Sequence, residues 1–315
     1  MLATIESTYK ARDVEGVLDL YFYRRVGFAL AQFFARLGIT PVGVTVLGGI
    51  FGVAAGHLYY YRDLRVNLLG MALHVISNAL DNADGQLARL TNQGSRNGRI
   101  IDSIVDHLVF VGIYLHLTLR CLAEGASPAI WLLALAAGLS HGVQGAVADY
   151  YRNAYLLFVT NRARGEFDSS AGLRSDYERF SWKRDPWQKF LLRVYLNFTL
   201  GQEGFSANLT QLCSAVQQVF PSVIPEWLQT SYRAAAKPMF IWIGLLMTNA
   251  RMLVLFAVLI FGRPPWYFVV EATALNLVLG YVLLRQGELC GSFLPAIRDA
   301  SPTRAGSLET KQPVD

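Results

Sequence analysis

Cysteine is scarce in this chain: Cys121, Cys213 and Cys290 are the whole complement. Three residues, odd in number and far apart, exclude a disulfide framework and a cysteine-built zinc knuckle. Charge is scarce as well. Only 16% of the 315 residues are Asp, Glu, Lys or Arg, against about 25% in an ordinary soluble domain. There is no nucleic-acid motif and no basic tract. The formal charge of +5 is spread among loops, which suits anionic lipid or a phosphate-bearing substrate and excludes a nucleic-acid-binding role. The opening stretch "MLATIESTYKARDVEGVLDLYFYRR" is charged throughout. It lacks the apolar core of a cleaved secretory signal, so none is expected. No internal repeat is visible.

What is abundant is apolar. The hydrophobic set makes up 53% of the chain and the mean hydropathy is +0.31, so the bilayer is the expected solvent. A spanning helix needs about 20 mostly apolar residues. Windows of that kind lie near 43–60, 66–80, 100–119, 129–158, 238–261 and 266–284, which predicts an all-α polytopic membrane protein with six transmembrane helices. The second window is short, and the fifth contains Asn249 and Arg251. Ahead of the first span, "VEGVLDLYFYRRVGFALAQFFARLG" sets Leu, Phe and Val against Arg24, Arg25 and Arg36 at helical spacing. That pattern predicts an amphipathic helix lying in the membrane interface. Pro41 in "GITPVGVT" then starts the first span, since proline is tolerated in a first helical turn.

The loops carry the orientation. Lys and Arg number 23 on the side that holds both termini, the loop after the second span and the long segment after the fourth, and 4 on the other, with Arg251 inside a span. The positive-inside rule therefore puts both termini in the cytoplasm. The expected organisation is an N-terminal segment 1–41, a six-span domain 42–290 with a cytoplasmic insert 161–237, and a disordered tail 291–315. Within the insert, "RGEFDSSAGLRSD" reads as loop and "PWQKFLLRVYLNF" as a helix with an apolar face.

The chemistry concentrates in "DNADGQLARLTNQGSRNGRIIDSIVDH", Asp81 to His107. Asp81 and Asp84 are three apart and Asp102 and Asp106 four apart, so each pair occupies one helical face. If the second span ends near Arg89 and the third begins near Gly98, both pairs sit at the same cytoplasmic edge. Four carboxylates held close raise one another's pKa and call for a cation. Oxygen-only ligands favour Mg²⁺ or Mn²⁺. Gly85 and Gly98 leave room for a substrate backbone or phosphate, and Arg89 offers a cationic fork for phosphate. Together these residues describe metal-assisted phosphoryl-group chemistry.

Asp81-x2-Asp84-Gly85-x2-Ala88-Arg89-x8-Gly98-x3-Asp102-x3-Asp106 resembles the signature of the CDP-alcohol phosphotransferase family, membrane enzymes of phospholipid head-group synthesis, at all eight positions. The resemblance extends to six spans, the motif running from the second into the third, and a "TP" start to the first span, where Val42 replaces the usual Asn. It implies that Asp81, Asp84 and Asp102 chiefly hold the metal and the CDP diphosphate. Asp106 shares the metal and acts as base, and Gly85, Ala88, Arg89 and Gly98 line the cytidine diphosphate pocket. It further implies a CDP-linked lipid, CDP-diacylglycerol first, a polar acceptor, CMP as leaving group, and a homodimer.

Other readings compete. An EF-hand fails, because Ala83 takes its third position and Gly85 its fifth. A transporter or channel accounts for intramembrane acids but not for Gly85, Arg89 and Gly98 at these intervals. An intramembrane prenyltransferase also uses paired aspartates and Mg²⁺, though on helices well separated in sequence. On the fourth span His141, Gln144, Ala148, Arg152 and Tyr155 share a narrow sector. They form either an acceptor stripe with Arg152 gripping an anion or a polar seam between helices. Arg251 is expected to snorkel to head groups. His57, His74, His107 and His116 are expected to be structural, and Asn78 to support Asp81.

Overall fold

The structure is a computed structural model, and it describes residues 12–160 and 168–300. Among these there is no strand, and the protein is an all-α polytopic membrane protein. A π-helical turn at Asp19–Tyr23 leads into α1 (Arg24–Arg36). Next come α2 (Pro41–Leu58), α3 (Leu64–Leu90), α4 (Arg96–Ala123) and α5 (Ile130–Val159). Four shorter helices follow: α6 (Ser170–Arg179), α7 (Pro186–Phe205), α8 (Ala207–Val219) and α9 (Glu226–Ala236). The chain then returns through α10 (Phe240–Leu245), α11 (Thr248–Ile260), α12 (Pro265–Ala272) and α13 (Ala274–Asp299).

Among the described residues, five helical segments are long and apolar enough to cross a membrane: α2, α4, α5, the run Glu226–Ile260 and the run Pro265–Asp299. The second expected span, α3, has the length, 27 residues, but carries too much polar surface to be counted with them. Its polar half is the half that bears Asp81 and Asp84.

Local chemistry starts these helices where they start. Thr40 Oγ1 accepts from the Gly43 amide at 3.2 Å, with Pro41 in the first turn. Asp63 Oδ1 accepts from the Arg65 amide at 2.7 Å, and Ser95 Oγ from the Gly98 amide at 3.0 Å. Each oxygen takes one of the amide hydrogens that a helix start leaves unpaired. Small residues then allow close crossing. A Cβ on Gly56 would lie 3.0–3.2 Å from backbone atoms of Gly112 and Ile113, so α2 and α4 approach almost backbone to backbone. α1 lies against α3, where Gln86 donates to the Arg24 carbonyl at 3.1 Å.

Two spans are broken. The fifth is interrupted at Leu246–Met247, and Arg251 answers the break by donating from Nε and Nη2 to the freed Leu246 carbonyl at 3.1 and 2.9 Å. Irregular backbone at membrane depth needs such internal partners. The sixth is interrupted at Thr273.

Three expectations change. The stretch read as loop in the insert contains α6, because Ser169 Oγ caps the Gly172 amide at 3.3 Å and Leu173 is buried against Leu192 and Leu196 of α7. The last span continues as helix to Asp299, past the start set for the tail at 291; residues 301–315 lie outside the described residues. Arg251 does not snorkel: it is 2% exposed and pairs with Glu271 at 2.7 Å.

Candidate active site

The end of α3 and the start of α4 bring the aspartates together. Carboxylate oxygens of Asp81, Asp102 and Asp106 all lie within 4.8 Å of one another. The i, i+4 spacing on α4 aims Asp102 and Asp106 the same way, and the short 91–95 turn returns α4 alongside α3 so that Asp81 meets them. Asp84 stands beside this trio. Buried at 5% exposure, it accepts from Thr45 Oγ1 of α2 at 2.5 Å. All four line one cavity of about 1010 Å³.

Gly85, Ala88, Arg89 and Gly98 line the same cavity. At Gly85 an added Cβ would meet only the Arg89 guanidinium, at 3.6 and 3.8 Å, so the missing side chain leaves the Arg89 head over open space. Val42, at the departure from the usual motif, lies against Gly98, with 4.0 Å from its Cγ2 to a Cβ built there. The exception therefore faces the motif pocket.

The donor set suits a divalent cation. Three carboxylate oxygens at such spacing, with a fourth carboxylate one turn away, are all hard oxygen ligands, as Mg²⁺ and Mn²⁺ prefer.

Residues 38–161 match the CDP-alcohol phosphatidyltransferase family. Those residues are a CDP-alcohol phosphatidyltransferase domain. Among curated proteins, the chain is 33% identical over 84 residues to an archaetidylinositol phosphate synthase of Pyrococcus horikoshii, covering 27% of this chain and 41% of that protein. It is 41% identical over 56 residues to a putative cardiolipin synthase of Mycobacterium tuberculosis, covering 18% of this chain and 27% of the relative. The same figures hold for the putative cardiolipin synthase of Mycobacterium bovis. The chain thus spans less than half the length of the curated relatives it matches.

Around the CDP-alcohol phosphatidyltransferase motif the cavity has walls that motif reasoning missed. Glu15 accepts from Arg24 Nη2 at 2.6 Å and stands 3.8 Å from Arg152 Nη2. Here one carboxylate is shared by two guanidiniums, with Asp19 and Asp149 also lining the cavity. Arg152 Nε is buried without a hydrogen-bond partner among the described residues. Below them, Asn249 donates to Asp19 at 2.9 Å. Outside the membrane spans, Asp13 ties the pre-α1 segment to the far side. Burial pushes its carboxyl up, but the Tyr155 hydroxyl at 2.9 Å and Arg233 and Lys237 at 3.1 Å outweigh this and hold it below the usual range.

The expected stripe on α5 divides. Arg152, Ala148 and His141 reach the cavity, whereas Tyr155 turns to Asp13. Gln144 is fully buried, accepting from Arg251 Nη2 at 2.9 Å and donating to Asn276 at 2.8 Å. The seam reading therefore describes Gln144, while Arg152, Ala148 and His141 lie on the cavity wall. Glu271, the partner of Arg251, was overlooked in the sequence; a lone acid in the apolar run of the last span was the available signal.

Asn78 lines the cavity but donates to Met252 Sδ at 3.3 Å instead of supporting Asp81. His74 meets the Tyr59 hydroxyl at 3.2 Å, and His107, which also lines the cavity, bonds the Ser103 carbonyl at 2.6 Å. His57 and His116 do more than scatter, pairing Nδ1 to Nε2 at 3.2 Å.

The insert closes the cavity's charged rim. Arg96 pairs with Asp176 at 2.6 Å and with Asp168 at 3.4 Å, and Arg99 with Asp168 at 3.5 Å. The Arg96 guanidinium holds the Asp176 carboxyl below the usual carboxylate range. From α7, Tyr195 and Phe198 enter the cavity wall.

Proposed function

We propose that this domain transfers a substituted phosphate group from a CDP-linked alcohol, CDP-diacylglycerol before others, to the hydroxyl of an acceptor alcohol, releasing CMP in phospholipid synthesis. The observation that carries the reading is the meeting of Asp81, Asp102 and Asp106 oxygens within 4.8 Å in a cavity that Asp84 shares. The cavity begins at this charged rim and continues along apolar side chains of α4 and α5, including Val111, Leu135 and Leu139. A ligand with a diphosphate head and a lipid body matches that gradient.

Asp81, Asp84, Asp102 and Asp106 would hold Mg²⁺ or Mn²⁺. The cation supplies charge neutralisation of the diphosphate, which makes CMP a tolerable leaving group. The protein's own residues do the rest. Arg89, lying over Gly85, meets diphosphate oxygens, and Gly85, Ala88 and Gly98 let the nucleotide approach the backbone. The Asp106 carboxylate takes the proton from the acceptor hydroxyl. The acceptor oxygen bonds to the phosphorus distal to cytidine, and the bond from that phosphorus to the bridging oxygen breaks, its electron pair leaving with CMP. Arg24 and Arg152, only partly neutralised by Glu15, favour an acceptor that carries a phosphate or carboxylate. All four site aspartates and both termini face the cytoplasm in this reading, and a homodimer is the expected state.

The test is CMP release from labelled CDP-diacylglycerol with Mn²⁺ and a panel of alcohols. Activity should vanish in EDTA and return with Mn²⁺. Asp106→Asn should lower turnover by about 10²–10⁴-fold, the usual yield of a positioned base, while CDP-lipid binding persists. Arg152→Ala should raise KM for an anionic acceptor and leave a neutral one unaffected. Full turnover in EDTA, or solute transport without CMP release, would end this reading.

A further inference from the structure

The insert carries an exposed surface that the chemistry above does not use. Trp182, in the turn between α6 and α7, is 52% exposed; Trp187 and Phe190, in the first turns of α7, are 60% and 45% exposed. The Trp187 and Phe190 rings stack at 5.8 Å. Beside them Lys183 and Arg184 are exposed, with Asp185 as the adjacent acid. Lys189 is already engaged, bonding the Phe180 carbonyl at 2.6 Å and standing 4.4 Å over the Tyr177 ring.

The course of α7 says what this surface faces. Phe198 packs on His107 of α4 with centroids 6.4 Å apart. One turn on, Gln202 donates to the Ala146 carbonyl of α5 at 3.1 Å and to Asp149 at 3.2 Å. His107, Ala146 and Asp149 all line the one cavity at its charged end. So α7 crosses two membrane-spanning helices in succession, α5 near Gln202 and α4 near Phe198. Continued back from Phe198, the helix reaches Trp187 after 11 residues, or about 16 Å at 1.5 Å each. That carries the aromatic end past α4, on the side away from α5.

We propose that the α6–α7 turn and the start of α7 are a membrane foot, with Trp182, Trp187 and Phe190 seated among the head groups of anionic lipid and Lys183 and Arg184 at the phosphate level. Amphipathic aromatic rings favour that layer, and each basic residue near an anionic surface adds attraction. The foot holds α7, and with it Tyr195 and Phe198, at the cavity rim. This inference does not depend on the transferase reading.

The experiment uses the full chain in nanodiscs, comparing tryptophan quenching by bromine placed at shallow depth in the acyl chains with quenching by aqueous acrylamide. The difference between wild type and Trp182→Phe/Trp187→Phe isolates the two rings. That difference signal should be quenched by brominated lipid and protected from acrylamide. Its lipid quenching should fall when anionic lipid is replaced by phosphatidylcholine, or in Lys183→Gln/Arg184→Gln. A difference signal quenched by acrylamide alone would put the rings in water and overturn the proposal. Protection from both quenchers would put them against protein, a second copy included, and overturn it equally.

Discussion

Thr45 shows how much one hydroxyl can decide. Its Oγ1 lies 2.5 Å from Asp84 and 3.1 Å from the Pro41 carbonyl, and its single proton can serve only one of them at a time. Donated to Asp84, it turns that carboxylate toward α2 and leaves the other three to form the tight trio. Thr45→Val keeps the shape and removes the donor. The half-saturating Mn²⁺ concentration for CMP release should rise about 10- to 100-fold, the usual cost of losing a group that orients a metal ligand. An unchanged Mn²⁺ dependence would mean that Asp84 holds its position without help. Val42 is the complementary case, a residue beside Gly98 that brings no polar atom to the pocket.

At the scale of elements, the broken fifth and sixth spans are joined by buried polar pairing. Arg251 donates to Glu271 Oε2 at 2.7 Å, to Gln144 at 2.9 Å and to the Leu246 carbonyl. Glu271 is fully buried, with Oε1 lacking a hydrogen-bond partner among the described residues and His141 3.9 Å away. Removing one member strands a charge where no water reaches it. Glu271→Gln should cost about 3–5 kcal/mol of stability, as breaking buried pairs does, read as a lower thermal midpoint in detergent. Replacing both, Arg251→Met with Glu271→Leu, should recover part of that loss; a double variant worse than Glu271→Gln would show that Arg251 acts mainly by capping Leu246. The close crossing of α2 and α4 is a second device at this scale: Gly56→Leu would drive a side chain into the backbone at Gly112 and Ile113.

For the whole molecule, the distribution of basic residues predicts a direction across the bilayer. The ends of α2 and α4 opposite the cavity meet through Arg62, which donates to the Ala123 carbonyl and lies 3.6 Å from Glu124. The α2–α3 and α4–α5 turns therefore share one face, the face poor in Lys and Arg. A cysteine placed at Ser127 should react with a membrane-impermeant maleimide added outside intact cells, whereas one at Arg96 should react only after lysis. The reverse pattern would invert the protein and put the aspartate cavity outside. The three native cysteines are buried, which keeps the background of this measurement low.

How much was legible in the sequence follows from the range of the interactions concerned. Helix ends at Arg89 and Gly98 were readable to within two residues, because capping by Ser95 and the change from apolar to acidic residues are local. The aspartate pairs were readable for the same reason, since spacing on one helix sets a shared face. The break in the fifth span was marked in the sequence only by the polar Asn249 and Arg251; the partners of Arg251, Gln144 and Glu271, come from other helices. Local spacing and composition determined an all-α membrane chain with carboxylates on the edges of two adjoining helices. Only the tertiary structure decided that three carboxylates meet while Asp84 turns to Thr45, that Arg251 is buried with Glu271, and that the insert reaches the cavity. Those outcomes depend on contacts between residues tens to hundreds of positions apart, which periodicity along one helix does not encode.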